Sequence, residues 1–312
     1  MWLAEKWTDY ELLDCSDGEK LERWGQYTLV RPEPQAIWRT PREHPGWQNP
    51  DARYRRSNTG GGRWQKHDVP DSWRIGYENL ELNACLMNFK HTGIFPEQAV
   101  NWDYIAKMIQ SASSEVPFEG LANPDKSGEI SKQQPHQTTG RAINVLNLFA
   151  YTGGATLAAA AAGAYVCHVD AARGMVFRAK ENAKASGLGD KPIRWIIDDC
   201  AKFVEREIKR GRKYDALIMD PPSYGRGPSG EIWKLEDSLY DFVKLCSGVL
   251  IDNPLFVLIN SYTTGLSPAT LSYITQSLLG GQATSSEIGL PVKTTGIPLP
   301  CGSTCRWTPD ES

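Results

Sequence analysis

Three features of the sequence predict an α/β fold: a mostly parallel sheet flanked by helices, preceded by a small, mostly-β N-terminal domain. From Arg141 onward, short apolar runs alternate with helical patterns, which marks βαβ units. Several of those runs are apolar throughout rather than alternating, as strands covered on both faces are. Before residue 100 the chain is rich in Trp, Tyr and Arg, and short strand-like patterns lie between turn signals.

The elements follow in order. Tyr10-Glu-Leu-Leu13 and Leu80-Glu-Leu-Asn-Ala-Cys-Leu-Met87 read as strands, set off by turns such as Ser16-Asp17-Gly18 and Arg31-Pro32-Glu33-Pro34. Thr59-Gly-Gly-Gly62 reads as a loop tip. Asn101 to Ala112 carries Tyr104, Ile105, Met108 and Ile109 at helical spacing. Ser113 to Gly140 is polar and broken by Pro117, Pro124 and Pro135, which predicts a loop-rich connection and a candidate mobile lid. Five strands follow: Val145–Phe149, Tyr165–Val169, Ile193–Ile197, Asp215–Asp220 and Leu255–Ile259. Between them lie helices after Gly154, over Ala171–Ala185, over Ala201–Arg210 and around Leu239–Leu245. The expected organisation is a β-rich domain over 1–100 with a role in substrate recognition, a connection over 101–140, and a catalytic domain over 141–312.

Composition narrows the function classes. With 312 residues the chain can bury a large core, and a net charge of -3 supplies no global attraction to nucleic acid or anionic membrane. Seven cysteines at scattered spacings argue for free thiols in a reducing compartment. Cys301 and Cys305 lie close together, but no His or second pair accompanies them, so no metal site is expected. Met1-Trp-Leu-Ala-Glu-Lys6 meets a charge too early for a secretory core, and no apolar run of about 18 residues occurs. A cytoplasmic protein without membrane contact is the expectation.

The chemistry concentrates at strand ends. Asp215-Ala-Leu-Ile-Met-Asp220-Pro-Pro-Ser-Tyr224 is a buried strand that ends in an acid and two prolines, which can neither pair nor continue a helix. Ligands of open α/β sheets lie outside the carboxyl ends of the strands, so this stiff, polar edge is a candidate active-site wall. The first strand runs into Phe149-Ala-Tyr-Thr-Gly153-Gly154, a glycine turn opening a helix, where backbone amides are free to meet a ligand. The second strand leads to Asp170, 17 residues past Gly153 and placed to accept from ribose hydroxyls, and the third to Asp198-Asp199, where a carboxylate can hold the amine of adenine. Each acid alone reads as a turn residue or helix cap. Together they line one rim of a sheet.

The order glycine turn, acid, acid, then Asp-Pro-Pro-Ser-Tyr resembles the class I S-adenosylmethionine-dependent methyltransferases, whose fold is Rossmann-like. Leu146-Asn-Leu-Phe-Ala-Tyr-Thr-Gly153 and Asp220-Pro-Pro-Ser-Tyr224 are similar to the bacterial group that methylates large-subunit (23S) ribosomal RNA on cytosine C5 or guanine. The likeness covers about Arg141 to Gly265 and extends to Lys90-His-Thr-Gly-Ile-Phe-Pro-Glu-Gln98, similar to a segment that helps cover the cofactor in that group. It implies S-adenosyl-L-methionine as cofactor. Phe149, Ala150, Thr152 and Gly153 would flank its methionine part, Asp170 would bind the ribose, Asp199 the adenine, and Gln98 would be a further contact. Asp220 would lie at the methionine amine and the reacting centre, with Pro221 and Pro222 turning carbonyls to the acceptor and Tyr224 stacking on a base.

One departure bears on the acceptor. In the group, C5 methylation needs a cysteine after the fifth strand, where this chain has Asn260-Ser261-Tyr262; Asp220-Pro-Pro-Ser223 has none either. Cys200 reads as a buried thiol. A nitrogen acceptor is therefore expected. Arg53-Tyr-Arg55-Arg56, with Arg63, Trp64 and Lys66, interleaves cations and aromatics as single-stranded RNA contacts do. The basic run Lys202 to Lys213 includes Glu205 and Glu207 and reads as a solvated helix face. Ribosomal RNA is the expected partner, with a homo-oligomer left open. Two alternatives stand: the same site acting on a protein or small molecule, and a non-catalytic nucleotide-binding protein. A dehydrogenase is disfavoured, because Tyr151-Thr-Gly-Gly-Ala-Thr lacks the Gly-x-Gly-x-x-Gly fingerprint.

Overall fold

The computed structural model describes residues 1–57, 61–87, 89–114, 142–226 and 232–310. Part of the expected loop tip at 59–62 and, beyond Ser114, the candidate lid at 113–140 lie outside the described residues. The N-terminal strands are β1 (Trp2–Leu3), β2 (Tyr10–Ser16), β3 (Glu19–Trp24), β4 (Tyr27–Pro32), β5 (Ala52–Arg56), β6 (Gly62–Lys66), β7 (Ser72–Tyr77) and β8 (Leu80–Cys85). Strands β2 to β6 form a five-stranded sheet in chain order, and β7 and β8 an antiparallel hairpin. Tight turns fold them: Asp17 and Gly18 carry φ of 49° and 73° between β2 and β3.

After helix α1 (Ala99–Ser114), longer at both ends than its apolar spacing predicts, the alternation begins. It comprises β9 (Asn144–Leu148), α2 (Gly154–Ala161), β10 (Tyr165–Asp170), α3 (Arg173–Ala185), β11 (Ile193–Ile197), α4 (Cys200–Lys209) and β12 (Ala216–Met219). A small hairpin, β13 (Tyr224–Arg226) and β14 (Ile232–Lys234), precedes α5 (Leu235–Ser247), β15 (Phe256–Ser261), α6 (Pro268–Leu279), β16 (Gln282–Pro291) and β17 (Pro298–Thr308). The main sheet has eight strands in the order β1-β16-β17-β15-β12-β9-β10-β11. It is parallel except where β17 runs against β15 and β16.

The topology positions the site. From β9 the chain moves outward through β10 to β11, then returns to β9's other side for β12 and β15. Strand order thus reverses between β9 and β12, which opens a crevice at their carboxyl ends. The four residues of β12 are all buried, as the apolar run predicts, and Pro221 and Pro222 end it. The long β16–β17 hairpin is absent from the sequence expectation, because the first half of β16, Gln282 to Glu287, is mostly polar with no buried position and offers no apolar run. Among the described residues, no helix is long and apolar enough to cross a membrane.

Candidate active site

A cleft of about 600 Å³ occupies this crevice, and Phe149, Tyr151, Asp170, Asp199 and Asp220 all line it. The glycine turn that forms its floor is held from behind. Phe149 and Tyr151 take φ of 54° and 50°, a left-handed conformation uncommon for side-chain-bearing residues. Asp170 braces that turn: one carboxylate oxygen accepts the Tyr151 N–H and the other the Ala172 N–H, each at 2.8 Å. Ala150 donates its N–H to the Val169 carbonyl at 3.0 Å.

Packing also demands both glycines of the turn. Gly153 has φ of 90°, and a Cβ there would lie 3.0 Å from the Ala179 methyl; at Gly154 it would lie 2.4 Å from the Trp102 ring. The Thr152 hydroxyl is turned away, donating to the Gly93 carbonyl at 2.6 Å, while the Thr152 carbonyl accepts from Asn182 at 2.9 Å. The Thr152–Gly93 bond docks the Lys90–Gln98 segment on the turn.

At the rim, Asp199 caps α4 by accepting the Lys202 N–H at 2.9 Å. Asp198 accepts the Asp199 N–H and pairs with Arg206. Between these acids and the floor, Ile197 exposes 47% of its surface into the cleft. With Phe149, Trp233 and Phe242, which pack ring on ring, it makes an apolar slot bounded by carboxylates. That is the complement of a flat, cationic nucleoside.

Asp220 sits at the end of β12, its N–H bonded to the Leu148 carbonyl at 3.3 Å. Burial, with Glu97 nearby, pushes its carboxyl up to about 7. Trp233 donates its indole N–H to the Pro222 carbonyl at 2.6 Å, so that carbonyl does not face an acceptor unpaired as expected. Tyr224 is 52% exposed on β13 and is not part of the cleft wall; Trp233 is. Gln98 also departs from a simple ligand contact. Its amide donates to the Tyr262 hydroxyl at 2.8 Å and accepts from Asn101 at 3.0 Å and Asn260 at 3.2 Å, beside a cavity of about 50 Å³ under the turn that Asp220 also lines.

A second cavity, of about 420 Å³, lies on the other side of Pro222, Ser223 and Tyr262. Its far wall comes from the N-terminal sheet through Lys20 and Arg31, and Glu97 and Cys301 also line it. The sequence reading missed this wall, because its residues are scattered from β3 to β17; only Glu97 had a signal, as the neighbour of Gln98. His91 borders both cavities, and burial with nearby Arg31 and Lys90 pushes it down to about 4, so it is neutral at pH 7. Cys200 is the buried thiol expected: its sulfur accepts the Phe149 N–H at 3.3 Å, and burial pushes the thiol up. Cys301 is the thiol inside the second cavity, and burial and Glu97 push it well up too.

The N-terminal basic cluster divides. Arg53 is spent inside the fold, on Glu19 at 3.0 Å and the Trp47 carbonyl at 2.7 Å, and Tyr54 is buried against Trp64. Arg55, Arg56, Arg63 and Lys66 remain exposed. The second basic run folds partly around a buried acid: Glu207 accepts from Tyr214 at 2.6 Å and from Arg194 and Arg210 at 3.0 Å.

Comparison with known proteins agrees with this geometry. The sequence model of the S-adenosylmethionine-dependent methyltransferase family matches residues 130–240. The crystal structure of a SAM-dependent methyltransferase from Agrobacterium tumefaciens is 34% identical and superposes with a TM-score of 0.85, over 99% of this chain and 93% of that one. A Streptococcus mutans structure superposes with a TM-score of 0.70 at 16% identity, a likeness of fold alone. Ribosomal RNA large subunit methyltransferase K/L of Shewanella loihica is 34% identical over 111 residues, which are 34% of this chain and 14% of that protein. Ribosomal RNA large subunit methyltransferase I of Aeromonas salmonicida is 34% identical over 84 residues, 27% of this chain and 21% of that protein. The match thus spans about a fifth or less of these curated relatives.

Proposed function

Because the chain belongs to the S-adenosylmethionine-dependent methyltransferases, we propose that it methylates a base of ribosomal RNA, at a nitrogen, in the cytoplasm. The observation that carries this reading is that Asp220 and the Pro221–Ser223 edge stand at the end of a nucleoside-shaped cleft, with a second cavity across Pro222 and Ser223. The curated relatives with the same core act, by name, on large-subunit ribosomal RNA.

The residues present fit the cofactor. Asp170 would hold the ribose, its carboxylate kept in place by two backbone N–H groups. Ile197 and Asp199 would take the face and edge of adenine, and Phe149 to Gly153, with Gln98 behind them, would shape the methionine end. Bound S-adenosylmethionine supplies an electrophilic methyl group on sulfur. That group would pass to the lone pair of an acceptor nitrogen, with the S–C electron pair left on sulfur. Asp220, poised near neutrality, takes the proton the nitrogen sheds. The rest is positioning by a stiff edge.

C5 chemistry on cytosine would require a thiolate, and Cys301 is the thiol lining the second cavity. Burial and Glu97 favour its protonated form, which supports a nitrogen acceptor. Cys301→Ala should therefore keep methyl transfer within about threefold of wild type; loss of transfer with cofactor affinity intact would establish the C5 route instead. The primary test offers labelled S-adenosylmethionine with total RNA, protein and small-molecule fractions from cells lacking the gene. Label in an RNA base is expected. Label confined to protein or metabolites would discard the RNA substrate, and cofactor binding without any label would indicate a non-catalytic role.

A further inference from the structure

We propose that the second cavity holds the acceptor base and that Glu97 selects a base carrying an exocyclic amine. The inference rests on the methyltransferase reading above and names the acceptor chemistry of that site.

Position comes first. The cavity shares His91, Phe95, Pro222, Ser223 and Tyr262 with the cofactor cleft, so occupants of the two would meet at Pro222 and Ser223, two residues past Asp220 of the cleft. At about 420 Å³ it lies in the size range of small-ligand sites, with room for a flat base. Its apolar surface comes from Phe95, Pro96 and Pro222, which suits the face of a ring.

The polar wall carries the specificity. Lys20 is committed to Glu33 at 3.1 Å and, more loosely, to Glu22 at 3.6 Å. Arg31 is committed to Glu22 through two bonds of 2.5 and 2.7 Å. Glu97 is different: it is 5% exposed, yet apart from its own backbone amide its carboxylate has no hydrogen-bond or ion-pair partner among the described residues. A buried carboxylate left so poorly served is costly to the fold. Such groups persist where a ligand completes them. The backbone that carries Glu97 is a single 3-10 turn, Pro96–Gln98, opened by a proline. The next residue, Gln98, points the other way, into the bonds with Tyr262, Asn101 and Asn260.

The ligand that completes this wall donates N–H groups. An exocyclic amine has two; one directed at Glu97 leaves the nitrogen lone pair free to turn toward the cofactor cleft. A base that presents a carbonyl at the same place would set oxygen against carboxylate and be rejected, the asymmetry that lets buried polar groups discriminate strongly.

The experiment has two arms on the full chain. In the first, Glu97→Gln, which keeps the size but replaces an acceptor oxygen with a donor amide, is compared with wild type for methyl transfer to RNA and for S-adenosylhomocysteine affinity. Transfer, read as kcat/KM, should fall roughly 10- to 150-fold, the worth of a charged hydrogen bond, while S-adenosylhomocysteine affinity stays within about twofold. In the second, AMP, GMP and CMP are compared with their amine-lacking counterparts IMP and UMP as inhibitors of wild-type transfer, which needs no variant to fold. At least one amine-bearing nucleotide should inhibit about tenfold more strongly than its counterpart. Unchanged transfer by Glu97→Gln, or equal or absent inhibition across each pair, overturns the inference. Absence of RNA methylation by wild type would instead remove the reading beneath it.

Discussion

The Asp220 carboxyl, ordinarily near 3.8, is held near 7 by burial and by Glu97, so the folded chain binds this proton more tightly than the unfolded chain does. Its contribution to stability is full below about pH 4 and is lost as the pH rises through 7. The loss amounts to on the order of 4 kcal/mol, since each unit is worth about 1.4 kcal/mol. Asp220→Asn should therefore melt above wild type at pH 8, with the gap closing toward pH 4 in calorimetry, while kcat falls roughly 100-fold because the amide cannot take the proton. A variant no more stable than wild type at pH 8 would show that Asp220 is not strained. Burial raises the Asp170 carboxyl as well, but two backbone N–H groups hold its charged form in place. Asp170→Ala should weaken S-adenosylmethionine binding by roughly tenfold or more in titration calorimetry; wild-type affinity would remove it from the site. Both acids were legible in the sequence because a strand end fixes where its next residue points. Ile197, Trp233 and Glu97 were not, since an exposed apolar residue or an uncommitted acid looks ordinary until its neighbours are in place.

Helix α4 shows how a solvated face can hide one buried acid: Lys202, Lys209 and Arg210 are exposed as expected. Its span was plain from the sequence, and its basic residues read as a solvated surface, but Glu207 within that run is fully buried. It gathers Arg194 from β11, Arg210 from the helix end and Tyr214 from the approach to β12, so it ties the edge strand that carries Ile197 to the segment entering β12. Neighbouring cations and the Tyr214 hydroxyl hold its carboxyl low, so its contribution is present at neutral pH and is lost on acidification. Glu207→Leu leaves the buried Tyr214 hydroxyl unserved, while water can reach the two Arg side chains, and should cost about 1–3 kcal/mol in denaturant unfolding. Cofactor affinity of the folded variant should change little, because Glu207 does not line the cleft. The β16–β17 hairpin escaped the sequence for a different reason: it is held by a ten-pair ladder to a partner strand, not by apolar periodicity.

Across the whole molecule, the strand-rich first hundred residues and the parallel sheet share one core rather than meeting at a surface. Leu12, Trp24 and Leu82 belong to the same apolar cluster as Leu157 and Ala158 of α2 and Leu290 and Leu299 of the C-terminal hairpin. Strand β1 pairs with β16, matching Trp2 to Ile288, and the Arg306 guanidinium lies 4.0 Å from the centre of the Trp2 ring. Asp14 accepts from Thr294 at 2.9 Å, and the second cavity itself lies at this seam, walled by both parts. From this shared core we propose that the expected division at about residue 100 marks a change of architecture within one cooperative unit. The chain offers two natural probes for this. Seven of its eleven tryptophans precede residue 100, so fluorescence weights the N-terminal strands. The helices α1 to α6 begin at Ala99, so helical ellipticity weights the remainder. In thermal unfolding the two signals should change together, with one midpoint, as a two-state transition requires. Two separated midpoints would mean that the strands fold apart and that the acceptor cavity is an interface able to open without unfolding either side.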